Sequence, residues 1–280
     1  MERIVHSQAV SQGAVLMMLV QILICFVLPI GLAVWAIQRR SHPKKGAAKI
    51  FFIGMGIFFL FAGVLESPFR GIARQFQQTP WLYALYGALL AGVFEEVGRF
   101  LGFKFIQKRI PTKINDTETP FLYGLGHGGL EMILVGSLTM LSNFLFATMI
   151  NSGAIQKVLA QTPESSRATI NNVVKQLTAT SGWTVSLSLM ERLLALTVQI
   201  ALSVVVWLLI VKRKQWFWLL LPIGLHAFID FPAALAQVGT LNVTAVESIL
   251  VVQTLLVVAF VYWLWRREQP ERHTDDKLNS

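Results

Sequence analysis

Apolar residues run along this chain in seven blocks, each bounded by charged or turn-forming positions. Runs long enough to cross a bilayer, roughly 20 residues each, fall at about 14–37, 50–66, 81–106, 120–150, 184–211, 216–238 and 245–265. Each is expected to be a helix, because lipid offers no partner to an unpaired backbone amide. The second block is short enough to need residues from its flanks. The fourth is long enough to include an interfacial turn. The longest polar stretch is 151–183, where Ile155, Val158 and Leu159, then Ile170, Val173, Val174 and Leu177, recur at helical spacing. That pattern predicts an amphipathic helical segment resting on the outer membrane surface, or a lid that guides substrate. The expected fold is all-α: one polytopic transmembrane bundle of about seven spans, a single domain over 1–280 with its motifs between 81 and 235.

Composition supports lipid as the solvent. Only 14% of residues are charged, 54% are hydrophobic and mean hydropathy is +0.59, where soluble domains carry about 25% charged residues. The net charge of +9 would suggest nucleic acid on a soluble protein. Here the basic residues flank apolar runs, where anionic lipid attracts them, so no nucleic-acid partner is expected. One set of loop ends holds Arg39, Arg40, Lys44, Lys45, Lys49, Lys104, Lys108, Arg109, Lys113, Lys212, Arg213, Lys214, Arg266, Arg267, Arg272 and Lys277. The opposite set holds Arg3, Arg70, Arg74, Lys157, Arg167 and Lys175. Cytoplasmic loops are enriched in Lys and Arg, so the expected topology is a cell-membrane protein with its N-terminus outside and its C-terminus in the cytoplasm. The first residues lack a basic n-region and a small-residue cleavage site, so the first span is expected to stay as an anchor. Cys25, the lone cysteine, excludes an internal disulfide or a cysteine zinc site.

Within the spans, ionisable residues cost several kcal/mol unless paired or hydrated. Four places carry them: Glu95, Glu96 and Arg99; His127 and Glu131; Glu191 and Arg192; His226 and Asp230. Three contain an i,i+4 pair (Glu95–Arg99, His127–Glu131, His226–Asp230), which directs both groups to one helical face. Counted from the cytoplasmic ends, Glu96, His127, Glu131, His226 and Asp230 lie about seven to fourteen residues in, roughly 10–20 Å at the helical rise. They can share one layer around a common cavity. Arg99 is expected to neutralise a carboxylate, and adjacent Glu191 and Arg192 to be structural. Glu66 and Glu247 fall at outer span ends and are expected as solvated caps. Gly124, Gly126, Gly128 and Gly129 around His127 permit close helix approach.

Two carboxylates side by side, two histidines and an aspartate can activate water by two routes. In one, the histidines and carboxylates, taken as His127, Glu131, His226 and Asp230, hold Zn²⁺ while another glutamate acts as base. In the other, no metal is needed: a buried glutamate takes the proton from water, and histidine orients that water and supports the oxyanion. Both lead to hydrolysis of an amide in or near the membrane. The HExxH spacing of soluble metalloproteases is absent.

Glu95-Glu96 followed by Arg99 on one span, His127 on the next, and the later His226 and Asp230 resemble the three motifs of the CAAX-protease and bacteriocin-processing superfamily. With His127-Gly-Gly-x-Glu131 and Glu191-Arg192 added, the set looks most like the YhfC-type intramembrane metalloproteases. The resemblance covers residues 81–235 and implies an intramembrane protease. It implies Glu95 as base with Glu96 assisting, His127 as water or metal partner, and His226 with Asp230 as the second half of the site. Two features depart from the related prenyl-protease pattern. Two residues, Val97 and Gly98, separate the glutamates from Arg99 where that pattern has three, and Asp230 stands where it often has Asn. Aspartate favours a cation more than asparagine does.

The expected substrate is a membrane-embedded or lipidated peptide or protein. Two other classes fit the same residues. Buried Glu, His and Asp also build proton or cation relays in transporters, although no internal repeat of the kind transporters show is visible. A non-catalytic membrane scaffold would keep the fold alone.

Overall fold

The computed structural model describes residues 9–39, 44–110, 118–213 and 215–268. The N-terminal octapeptide, with Arg3 and His6, lies outside them, as do Arg40, His42, Lys113, Lys214, Arg272 and Lys277. In chain order the helices are α1 (Gln12–Gln38), α2 (Lys44–Phe58), α3 (Ser67–Arg70), α4 (Pro80–Arg109), α5 (Glu118–Glu131), α6 (Thr139–Asn151), α7 (Ile155–Gln161), α8 (Glu164–Ala179), α9 (Gly182–Val205), α10 (Leu220–Gln237) and α11 (Val243–Arg267). Among the described residues three π-helical stretches extend them: Phe59–Leu65 after α2, Met132–Leu138 between α5 and α6, and Val206–Lys212 after α9. The described residues contain no strand.

Among the described residues six continuous helical runs are long and apolar enough to cross a membrane: Gln12–Gln38, Gly46–Leu65, Glu118–Asn151, Gly182–Lys212, Trp216–Gln237 and Val243–Arg267. The seventh expected span, α4, has 30 residues, ample for a crossing. It falls short only in hydropathy, because it carries Glu95, Glu96 and Arg99 in its interior. The second span gains its length from its N-terminal flank. The fourth makes no interfacial turn; its 34 residues form one helix widened by the π stretch directly after Glu131.

Local chemistry sets several of the ends. Ser11, Ser181 and Asn242 each accept the backbone N–H three residues on, at 3.2, 3.1 and 2.9 Å, and so cap α1, α9 and α11. Inside α10, Pro232 has no N–H for the carbonyl of Phe228. Gln253 of α11 supplies the missing donor at 2.8 Å, which fixes α11 against the turn that holds Asp230.

The run containing α9 is the central one: 72% of its most apolar window is buried, against 22–39% for the other five. α2 packs on α5, and α4 on α10, at glycine contacts. A Cβ on Gly126 would collide with the carbonyl oxygen of Phe51, and one on Gly92 would lie 2.8 Å from that of Ile223. The 151–183 stretch forms α7 and α8, whose Ile155, Leu177, Val158, Leu159, Ile170, Val173 and Val174 pack with Ala14, Met18, Ala147 and Val185 of the bundle.

Candidate functional site

Successive residues on a helix point about 100° apart, so Glu95 and Glu96 leave α4 in different directions. Glu96 is fully buried and pairs with Arg99 one turn on, through Arg99 Nε to Oε2 (2.9 Å) and Nη2 to Oε1 (3.1 Å). The remaining guanidinium donors are also used. Nη1 donates to the carbonyl of Gln199 (3.0 Å) and to Ser203 Oγ (2.6 Å), and Nη2 to Gln199 Oε1. A buried cation persists only when paired and fully hydrogen-bonded, and Arg99 meets both conditions.

Glu95 turns to the histidines. His127 Nε2 donates to Glu95 Oε2 at 3.0 Å, and His226 Nε2 lies 3.9 Å from the same oxygen. His226 Nδ1 donates to Glu96 Oε1 at 2.8 Å, which leaves Nε2 as the ring nitrogen facing Glu95 and Asp230. Asp230 Oδ2 is 3.4 Å from that Nε2. The structure therefore brings Glu95, Glu96, Arg99, His127, His226 and Asp230 into one cluster from α4, α5 and α10. Its core is closed to solvent, and Asp230, with 40% of its side chain exposed, marks the open edge. The Phe58 ring meets His127 edge-on at 5.0 Å, and the buried Nδ1 of His127 has no hydrogen-bond partner among the described residues.

Of the three i,i+4 sets, each expected to share a face, His226 and Asp230 also meet each other. Arg99 has its ion pair with Glu96, one residue nearer, and His127 bonds Glu95 from the neighbouring helix. Glu131 lies at the margin. Its Oε2 accepts Gln199 Nε2 at 2.7 Å and its Oε1 faces Arg192 Nη1 at 3.6 Å. Arg192 also pairs with its neighbour Glu191. Glu66 and Glu247 are not solvated caps: 4% and 3% exposed, they are buried. Glu66 ends the π stretch after α2 and binds Arg70 Nε at 2.8 Å, and Glu247 is drawn inward where α11 packs against Glu191 of α9.

Sequence reasoning missed Gln199. Its amide Nε2 donates to Glu95 Oε2 (3.0 Å) as well as to Glu131. A lone glutamine in an apolar run carries little signal. The trace that could have revealed it is Gly128, where a Cβ would sit 2.7 Å from Gln199 Cβ, so that α9 closes on α5 at this residue.

Among the described residues no three His, Cys, Asp or Glu side chains are placed so that they could hold a metal ion, and the expected set of His127, Glu131, His226 and Asp230 is not gathered. Glu131 is held apart by Gln199 and Arg192. The donor chemistry around Glu95 nonetheless fits a divalent cation. Two imidazole Nε2 atoms and the carboxylate oxygens of Glu95 and Asp230 approach one another, the N and O donors that Zn²⁺ takes. His226 has the carboxylate behind its other nitrogen that ligating histidines usually have.

The family model described as YhfC intramembrane metalloprotease matches residues 24–251. This chain belongs to the YhfC family. It is 37% identical over 263 residues to the uncharacterized membrane protein YhfC of Bacillus subtilis (strain 168), an alignment covering 91% of this chain and 96% of that protein. No solved structure matches. The YhfC match spans α4, α5, α9 and α10 and therefore every side chain of the cluster. This YhfC-family chain is a multi-pass membrane protein.

Proposed function

We propose that this protein is an intramembrane endopeptidase that hydrolyses a peptide bond of a membrane-associated protein or peptide with water activated by Glu95. The observation that carries the reading is the single carboxylate oxygen, Glu95 Oε2, held 3.0 Å from one imidazole and 3.9 Å from a second inside an apolar bundle. The description of the family as intramembrane metalloproteases supports proteolysis in the membrane.

Glu95 takes a proton from water as its oxygen adds to the scissile carbonyl carbon. The carbonyl electrons become an oxyanion, which hydrogen bonds from the His226 side of the site stabilise. Glu95 then returns the proton to the departing amine as the C–N bond breaks, leaving a carboxylate and an amine. Glu96, anchored by Arg99, fixes the His226 ring through Nδ1. His127 holds Glu95 from the other side. His226 Nε2 and Asp230 Oδ2, joined by His127 Nε2 only if it gave up the hydrogen it directs to Glu95, are the donors that would hold a divalent cation such as Zn²⁺, whose contribution there would be Lewis-acid polarisation of the carbonyl. Substrate reaches the cluster past Asp230, its exposed member. With the N-terminus outside and the C-terminus cytoplasmic, as the basic-residue asymmetry favours, the site lies in the cytoplasmic half of the bilayer.

The test is purified protein in vesicles with a panel of single-span and lipidated reporter peptides, products read by mass spectrometry. Wild type is expected to cleave. Glu95→Gln keeps the shape and removes the base, so cleavage is expected to fall by at least about 10²-fold. Full cleavage by folded Glu95→Gln protein would overturn the assignment. Ion-driven uptake into the vesicles without cleavage would favour a transporter.

A further inference from the structure

Gln199 sits on the central helix α9, 5% exposed, and meets three charged side chains from two other helices. Its amide orientation follows from those neighbours. Arg99 has only donors to offer, so the amide oxygen must face Arg99. Glu95 and Glu131 offer acceptors, so the two N–H groups of Nε2 go to them. Each amide hydrogen has a carboxylate, and the oxygen has the guanidinium. Rotation of the side chain about its last bond would turn the amide oxygen onto two carboxylates and the NH₂ onto a cation. One orientation survives.

The consequence falls on Glu95. Gln199 Nε2 and His127 Nε2 both bond Oε2, at 3.0 Å each. Two donors from different helices on one oxygen fix the plane of the carboxylate and direct Oε1 as the oxygen that meets water. Backbone geometry reinforces the clamp. The Gln199 carbonyl accepts from Arg99 and from Ser203 Oγ (2.8 Å), so α9 is tied to the base-bearing helix at this residue.

We propose that Gln199 is a positioning residue for Glu95, presenting the carboxylate to water through an amide locked between Arg99 and Glu131. The proposal rests on the reading of Glu95 as the base. It assigns Glu131 the role of the anchor that keeps the Gln199 amide in register, and it gives Gln199 no direct contact with substrate.

The experiment compares wild type, Gln199→Met, Glu95→Gln, the double variant, and Glu131→Leu in vesicles, on whichever reporter peptide wild type cleaves. Gln199→Met preserves volume and removes the amide. It is expected to lower kcat by about 10–100-fold, the range for a lost hydrogen bond to a charged group, with KM within about two-fold of wild type, as for an interaction used in the chemical step rather than in binding. Because Gln199 acts through Glu95, the double variant is expected to be no slower than Glu95→Gln alone. Glu131→Leu, which loosens the amide without touching Glu95, is expected to lower kcat to a smaller degree with KM unchanged. It stands as the test should Gln199→Met fail to fold. A readout independent of turnover is the infrared carboxylate stretch of Glu95 in ¹³C-glutamate-labelled protein, assigned by its loss in Glu95→Gln. It is expected to shift in Gln199→Met.

Wild-type kcat in folded Gln199→Met, losses that multiply in the double variant, or an unshifted Glu95 band would each overturn this inference while leaving Glu95 as the base. Full activity of Glu95→Gln, or a wild type that cleaves no reporter, would overturn the peptidase reading and this inference with it.

Discussion

Arg99 and Glu96 are joined by two hydrogen bonds, 2.9 and 3.1 Å long, with neither side chain reaching solvent. The pair sits under His226 and holds it by the ring nitrogen that faces away from Glu95. A charge pair this deep is costly to break from one side, because the surviving partner is left buried and unpaired. Arg99→Met is therefore expected to destabilise the protein by about 3–5 kcal/mol, the scale for uncovering one member of a buried pair. Thermal unfolding in detergent measures it, and an unchanged midpoint would mean that the pair does not hold the bundle.

Glu191 and Arg192 lie beyond the cluster, tied to each other and, through Arg192, to Glu131. Glu191→Gln is expected to reduce abundance and unfolding temperature, and to leave cleavage per folded molecule within about two-fold, since no step of the proposed reaction passes through it. A folded, abundant but inactive Glu191→Gln protein would move that residue into the chemistry.

The topology is open to a direct measurement. Cys25 is buried, so it can be replaced and single cysteines introduced. A cysteine at Ser165, in α8, is expected to label from outside the cell, and one at Ser280 only after the membrane is opened. Labelling of both from the same side would reverse the positive-inside assignment.

Metal content separates the two routes to activated water. Protein washed free of loosely bound ions is expected to retain a divalent cation that is lost in a His127→Ala, His226→Ala double variant, read by elemental mass spectrometry. An active wild type without metal would leave Glu95 to act unaided.

Much of this architecture is legible in the chain. The hydropathy blocks place the spans, because a backbone in lipid can be satisfied only as helix. The cost of charge in lipid singles out Glu95, Glu96, His127, His226 and Asp230, and their similar depths put them in one layer. The glycines near His127 announce close packing, and Gly126 against the Phe51 carbonyl is such a contact.

What the chain alone leaves open is which group meets which. Helical periodicity fixes the face a residue occupies, but not how far each helix is rotated against its neighbours. The i,i+4 spacing put Glu95 with Arg99, and His127 with Glu131, on shared faces without naming their partners. Packing gave Arg99 to Glu96 and His127 to Glu95, because α9 brings Gln199 and Ser203 to the guanidinium and α5 turns His127 toward α4. Glu66 and Glu247 look like solvated caps from their place at span ends, yet packing buries both, since exposure at a helix terminus is set by whatever neighbour covers it. Gln199 is the clearest case. An uncharged amide in an apolar run has no pattern to mark it, and only the assembled bundle sets it between two carboxylates and a guanidinium.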